Sequence, residues 1–284
     1  MKYLFRDRVA NGQMLSTFFK ESSDTHPDHH DYHPHFELYL RTRPLRQEIT
    51  LNGESTVIET PAAVLTAPFQ IHAMSPALAD CPRYERHIVY FNEGLIGAVA
   101  PLLPDGFFTK NANCLFPLTE PRAAALEQDL AALFDTSLPE RERALLLALL
   151  LARLDRAVPP EERRHFGQVN AYVPRVLQYL YDRVGEDPGA EEIAARFHVS
   201  RAKLNRDFKA SVGQTLHGAV IDLRISRACA LLCEQGRTVK DVAAACGFAS
   251  EYYFHAFFKR ITGQTPAGYR KAHLHSADTI VPKK

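Results

Sequence analysis

The sequence predicts an α+β chain in two parts: an antiparallel β barrel or jelly roll first, then a helical segment leading into an all-α part in which two helix, turn, helix units are joined by a long helix. Three observations predict it. Short strand-like runs broken by turn residues fill residues 1 to about 115. From about Pro121 the apolar spacing becomes helical and stays so. And the stretch Glu191 to Gly218 recurs at Asp241 to Tyr269, the mark of one supersecondary unit used twice.

In the first part, Phe36 to Leu40 reads as a strand, and Gln47 to Leu51 alternates toward Asn52-Gly53, a hairpin turn signal. Val57 to Glu59, Ala63 to Thr66 and Arg86 to Phe91 follow, punctuated by prolines at 61, 68, 76 and 82. Strands this short and regular suit an antiparallel barrel or jelly roll. Alternate side chains of a strand share a face, so His33, His35, Glu37 and Tyr39 are expected on one side and Phe36, Leu38 and Leu40 on the other. His72 comes later, after Pro68-Phe69-Gln70-Ile71, and His26, His29 and His30 lie just upstream. Such a polar stripe has three readings: a metal cluster, a metal-free pocket for a small molecule, or a solvent-facing surface.

Ala123 to Phe134 and Pro139 to Ala157 are amphipathic helices. Within the second, ALLLALLLARL is apolar nearly all round, which demands burial on more than one side. Pro159 to Arg164 is polar and helix-breaking and reads as a linker. A helix through Val173 to Val184 is stopped by Gly185 and Pro188, and a long one runs from about Leu216 to Glu234 before Gly236. Its nineteen residues make a rod of about 28 Å, near the ~34 Å between successive major-groove faces of B-DNA.

The two repeat copies flank that rod. Ser200 matches Ser250, Phe208 matches Phe258, Lys209 matches Lys259, and Gly213-Gln214-Thr215 matches Gly263-Gln264-Thr265, all offset by 50. Ile193-Ala194 pairs with Val242-Ala243 at an offset of 49, so the second copy has one extra residue in its turn. Each Ser is placed to cap a second helix. The expected buried stripes are Leu204, Phe208 and Val212 in one copy and Phe254, Phe258 and Ile261 in the other. The outward stripes are Ala202, Asn205, Arg206 and Lys209, then Tyr252, His255, Ala256 and Lys259. Long polar side chains at the start of such a second helix suit a major groove.

Residue chemistry suggests roles. Arg206 can bridge the two acceptors of guanine, Asn205 can address adenine, and Ala202 offers methyl contact to thymine. Arg201 joins them at the start of that helix. Lys209, Lys259 and the helix starts at Ser200 and Ser250 are placed to hold phosphate. Glu251, Tyr252 and His255 do the reading in the second copy.

Net charge is only +1, but from Asn170 onward 17 Lys/Arg stand against 11 Asp/Glu, and before it 17 stand against 22. A basic C-terminal part on an acidic N-terminal one suits nucleic-acid binding at one end. Five cysteines without dense spacing argue against a disulfide framework, and Cys229 and Cys233 are expected to pack on a helix. The N-terminus has no apolar core of signal-peptide length, and the longest apolar run, Ala144 to Ala152, is far below the ~20 residues of a membrane span. A soluble cytoplasmic protein is expected.

The second repeat carries Gly247, Phe248, Ser250, Tyr253, Phe254, Phe258, Lys259, Gly263, Thr265, Pro266, Tyr269 and Arg270 in the pattern G-F-x-S-x-x-Y-F-x-x-x-F-K-x-x-x-G-x-T-P-x-x-Y-R. On these residues the last 110 or so positions resemble the DNA-binding domain of the AraC/XylS family of bacterial transcription regulators. The family often has Arg where Ala256 stands. The N-terminal H-x-H-x-E-L resembles, more weakly, the family's cupin-like sensory barrel. The later Glu and Asn of metal-binding cupin enzymes are replaced by Tyr39-Leu40 and Pro76. The resemblance implies a cupin-like sensing and dimerisation domain over 1–158, a linker over 159–169, a DNA-binding domain over 170–275 and a disordered tail over 276–284. It implies a non-enzymatic regulator of double-stranded DNA with no cofactor and no metal. A small-molecule effector, a sugar by family habit, would bind at His33, His35, Glu37, Tyr39 and His72. A homodimer is implied through the helical pair, RNA polymerase is a partner of any activator, and no membrane is involved. The rival readings are a cupin-type metalloenzyme with a helical assembly domain, and a DNA-binding protein whose barrel is only a dimerisation scaffold.

Overall fold

The structure, a computed structural model, describes residues 2–5, 15–22, 29–76, 84–167, 170–234 and 236–274. His26 and the tail expected over 276–284 lie outside the described residues. The chain separates into two compact units, residues 1–174 and 175–284.

In the first unit, β1 (Lys2–Phe5), β2 (Leu15–Ser22), β3 (His29–Tyr32), β4 (Phe36–Arg41), β5 (Gln47–Leu51), β6 (Glu54–Ile58), β7 (Ala62–Thr66), β8 (His72–Pro76) and β9 (Tyr84–Phe91) follow one another, and β10 (Cys114–Pro117) and β11 (Arg164–His165) are added later. They form two sheets, ordered β1-β3-β8-β5-β6 and β11-β10-β7-β4-β9-β2. Pairing is antiparallel except that β1 runs parallel to β3. The β5–β6 hairpin turns on Asn52 and Gly53, both in the left-handed region at φ 52° and 85°, the conformation that a two-residue turn between twisted strands requires.

Alternation along β4 divides the unit into two cores. Leu38 and Leu40 face α1 (Glu93–Val99), α2 (Phe107–Lys110), α3 (Glu120–Leu133) and α4 (Glu140–Ala157), in a large apolar cluster with Phe91, Phe116, Leu126, Leu147 and Leu151. Tyr39 faces the other way, into a smaller core between the sheets with Ile49, Leu51, Val64, Ile88 and Leu115. Both faces of β4 are therefore buried, so its polar side chains line the barrel interior and not a wet outer surface. Within 159–169, expected as linker, Pro160–Glu162 form a 3-10 turn, β11 pairs with Cys114 and Leu115, and Phe166 enters the inner core.

α4 buries Ala144, Leu147, Ala148, Leu150, Leu151 and Leu154. Leu145 and Leu149 on its other side remain 58% and 41% exposed. Among the described residues, no helix is long and apolar enough to cross a membrane.

α5 (Tyr172–Asp182) leads into the second unit, which continues as α6 (Ala190–Arg196), α7 (Arg201–Val212), α8 (Leu216–Leu232), α9 (Val239–Ala245), α10 (Glu251–Thr262) and α11 (Pro266–Leu274). α6–α7 and α9–α10 are the two repeat copies, and α8 joins them. α8 has 17 residues, about 25 Å, slightly shorter than expected because Cys233 caps it. Leu204, Phe208 and Val212 are fully buried on α7, as are Phe254 and Phe258 on α10. Ile261, expected to continue the second stripe, is 42% exposed. The place beside Phe258 is taken by Tyr269, whose ring stands edge-on at 5.5 Å.

Candidate nucleic-acid interface and buried histidine cluster

Each copy turns from its first helix into its second through a left-handed residue. His198 (φ 56°) does this in the first copy and Gly247 (φ 75°) in the second, an offset of 49. The same backbone pattern closes both turns: Val199 N–H donates to the Ala194 carbonyl at 3.0 Å, and Phe248 N–H to the Ala243 carbonyl at 3.0 Å. The register is thus kept through Val199 and Phe248, and the extra residue of the second copy is Ala249. Its consequence is local. Ser200 accepts a hydrogen bond from the Lys203 N–H and caps α7, whereas Ser250, displaced by the insertion, stands at φ −137° and makes no such bond. The cap expected of Ser250 is therefore corrected; in the second copy the firm cap lies one helix earlier, where Thr238 and Asp241 form a reciprocal capping box on α9.

The outward faces are as open as the periodicity implies. Arg201, Ala202, Asn205, Arg206 and Lys209 are exposed along α7. Arg201 pairs with Glu191, and Lys203 with Asp207. Arg206, with 72% of its side chain exposed, lays its Nε 3.2 Å from the Asp207 carboxylate. Asp207 is itself buried beside Leu204 and Phe208, and orienting the basic head groups is a role that periodicity alone did not assign it. On α10, Glu251, Tyr252 and Lys259 are exposed, and His255 is half-buried with its Nε2 3.6 Å from Glu251. Tyr253, counted only among the family residues above, is 61% exposed, its ring 5.7 Å from that of Tyr252. Behind this face, buried Arg224 of α8 donates from Nε to the Val184 carbonyl and from Nη2 to the Glu186 carbonyl, and its guanidinium lies 5.9 Å over the Phe248 ring. One cation so ties the end of α5 to the second turn.

In the first unit, His33, Glu37 and His72 come together in the barrel interior at 2%, 3% and 4% exposure, which removes the solvent-facing reading of these histidines. Glu37 is on β4 and His72 opens β8, while His33 precedes β4 and reaches Glu37 across the bend at Pro34 and His35. Both imidazoles meet one oxygen: Glu37 Oε2 lies 2.9 Å from His33 Nε2 and 3.2 Å from His72 Nε2. The opposite ring nitrogens are held by backbone, His33 Nδ1 at 3.0 Å from the His35 carbonyl and His72 Nδ1 at 2.9 Å from that of Gln70.

The loop behind His72 is fixed by a buried amide network that motif reading did not foresee. Gln70 Oε1 accepts from Asn52 Nδ2 at 2.6 Å and Asn113 Nδ2 at 3.2 Å, and Asn52 Oδ1 accepts from the Ile71 N–H. Phe69, at φ 60°, donates its N–H to the His33 carbonyl at 2.8 Å and so links both histidine-bearing segments. The only sequence signal for this was the turn pair Asn52-Gly53, read for the hairpin alone.

The five expected effector residues do not form one set. The His35 ring stacks at 6.2 Å from that of His33 and stays outside the trio. Tyr39 belongs to a separate buried group, in which its hydroxyl and Arg41 Nε both donate to Gln47 Oε1, at 3.2 and 3.1 Å. Alternation put Tyr39 on the face of Glu37, but two residues along a strand is ~6.6 Å, enough to reach different partners.

Electrostatics in the trio is asymmetric. Burial disfavours a charged His33 ring, outweighs the pull of Glu37, and lowers its pKa below the usual histidine value. Burial acts the same way on His72, but the Glu37 charge and hydrogen bond, helped by Asp31, overcome it and raise the ring to about 9. Burial alone would raise Glu37; the two imidazoles hold it well below the usual carboxylate range instead. With no cation bound, these directions favour the extra proton on His72 over His33.

Comparison with known proteins follows the same division. A family model described as a helix-turn-helix domain matches residues 193–272. The HTH-type transcriptional regulator YfiF of Bacillus subtilis is 26% identical over 136 residues, 48% of this chain and 43% of that one. The xylose operon regulatory protein of Escherichia coli K12 is 28% identical over 119 residues, 40% of this chain and 30% of that one. The chain thus spans less than half the length of these relatives. Across nearly the whole molecule, the fold is similar to that of unsaturated fatty acid bound ToxT from Vibrio cholerae, at a TM-score of 0.52 and 14% identity, covering 96% of this chain and all of that one.

Proposed function

On the premise that residues 193–272 belong to the helix-turn-helix domains of the AraC/XylS type, we propose that the protein is a transcription regulator that binds double-stranded DNA in a sequence-specific way and responds to a small molecule. The observation that carries the reading is the doubled motif with both second helices presenting an exposed polar face. α7 reads with Arg206 on guanine, Asn205 on adenine and Ala202 on thymine methyl, with Arg201 beside them. α10 reads with Glu251, Tyr252 and His255, while Lys209, Lys259 and the starts of α7 and α10 at Ser200 and Ser250 hold phosphate. Tyr253, exposed on α10, belongs to the same contact face.

The barrel is the sensing domain, with His33, Glu37 and His72 at its centre, His35 beside them and Tyr39 at the neighbouring group. A relative named for the xylose operon supports a sugar, and a structural neighbour solved with a fatty acid supports a carboxylate. The uncovered Leu145 and Leu149 of α4 support a homodimer formed through that helix. RNA polymerase is the further partner of an activator. The effector acts by binding two arrangements of the regulator with different affinity.

The test is selection of duplexes from a randomised pool by the full chain, followed by binding at graded salt. One enriched sequence is expected, with affinity falling steeply as salt rises. A protein that enriches no sequence, with or without sugars and fatty acids, is not such a regulator.

A further inference from the structure

The trio in the barrel interior poses a question of donors and acceptors. A neutral imidazole has one N–H and one lone pair. His33 Nδ1 faces the His35 carbonyl and its Nε2 faces the Glu37 carboxylate, so both neighbours are acceptors and a neutral ring can satisfy only one. His72 faces the same pair of acceptor types, the Gln70 carbonyl and the same Glu37 oxygen. With each Nδ1–H kept on its backbone carbonyl and any Nε2 proton displaced by an incoming cation, two lone pairs and a carboxylate converge on one point. That is the arrangement of a metal site: the carbonyls fix the tautomers and aim both Nε2 atoms inward.

The distances agree. Around a cation with bonds of ~2.1 Å, neighbouring ligand atoms stand about 3.0 Å apart at right angles and about 3.4 Å apart at tetrahedral angles. The two contacts to Glu37 Oε2 are 2.9 and 3.2 Å, and all three ligand atoms lie within 4.8 Å of one another. Among the described residues no other group of three or more such side chains meets this condition. The cradle is also built: each ligand is at most 4% exposed, and the Asn52–Gln70–Asn113 amides together with the Phe69 N–H on the His33 carbonyl hold the two ligand-bearing segments in place.

We propose that His33, Glu37 and His72 bind one divalent first-row transition cation of borderline softness, with Zn(II), Co(II), Ni(II) and Fe(II) as the class. Two neutral imidazoles and a single carboxylate exclude Ca(II) and Mg(II), which take oxygen ligands, and leave coordination positions for an oxygen of a bound small molecule. This rests on and deepens the sensory reading of the barrel, and it departs from the expectation of no metal. That expectation sought a Glu further along the strand from the second His. The ligand is Glu37, two residues after His35, because the first ligand is His33, which the bend at Pro34 folds back onto it. Metal content alone does not separate a sensor from a metalloenzyme. DNA selection does, and it is independent of this site.

The experiment uses the full chain stripped with a chelator and titrated with Co(II) and Zn(II). One equivalent per chain is expected, with a visible d–d Co(II) spectrum free of thiolate charge-transfer bands and a Zn(II)-dependent rise in Tm of the barrel. Glu37→Gln keeps size and can donate to a histidine Nε2, so it should still fold when metal-free, with a lower Tm, and bind at least about 100-fold more weakly. His72→Gln should do the same, and His165→Gln, at an exposed histidine of β11, should bind normally. Cys229→Ser with Cys233→Ser removes the two half-buried thiols of α8 and its end, Cys114 and Cys246 being buried. A thiolate band lost in that variant, equal binding by wild type and Glu37→Gln, or no saturable binding by wild type would each overturn the proposal. The DNA selection, run with and without chelator, shows whether the regulator reading stands apart from that outcome.

Discussion

Arg206 and Lys259 are both exposed cations on second helices, yet they should fail differently. Arg206 is steered by the buried Asp207 and reaches outward as a planar fork. Arg206→Ala should lower preference at one base pair by ~1–3 kcal/mol, whereas Lys259→Ala should weaken all duplexes alike and flatten the salt dependence. Binding of each variant to the selected and a scrambled site measures this; equal loss on both sites for Arg206→Ala removes the readout role. In the barrel, the residue-scale consequence is in pH. His72 is raised to about 9 in the folded state, so its contribution to stability is complete below about 6.5, the value of an unfolded histidine, and is lost as pH rises through 9. Chelator-treated protein should therefore lose several degrees of barrel Tm between pH 6.5 and 9.5. His72→Gln should flatten that slope, and an unchanged slope would show that His72 does not hold the proton.

The two repeat copies show how one element tolerates different residues. His198 and Gly247 occupy equivalent left-handed turns, but a Cβ at Gly247 would meet the Gly185 carbonyl at 2.9 Å and Arg224 at 3.1 Å. Gly247→Ala combines backbone strain with that clash and should destabilise the second unit by about 2 kcal/mol or more. His198→Gly, where the strain is relieved instead, should stay within about 1 kcal/mol of the parent. Urea unfolding of the two variants compares them, and equal effects would refute the steric account. Periodicity located α6, α7, α9 and α10 because their buried stripes repeat at the helical period. It placed Ile261 wrongly, since it has no knowledge of Tyr269 arriving from the next helix.

At the scale of the molecule, the open question of α4 is which surface covers Leu145 and Leu149. The proposed homodimer predicts that Leu145→Glu with Leu149→Glu shifts the sedimentation coefficient from dimer to monomer while leaving the far-UV spectrum unchanged, because neither side chain is in the core. An unchanged sedimentation coefficient would assign the dimer to another face. The α+β class, the barrel followed by helices, the internal repeat and the outward stripes of α7 and α10 were all legible in the sequence. Each rests on a short-range rule, alternation in strands or a stripe in helices, that a few neighbouring residues suffice to express. The meeting of His33, Glu37 and His72, the separation of Tyr39 into the Gln47 group, and the amide network behind His72 were decided only by the tertiary structure. Their longer links join residues 18 to 43 positions apart, and the others turn on a bend or on a strand-to-strand step that alternation ignores. Such contacts are set by sheet pairing and loop closure, and no local period in the chain records them.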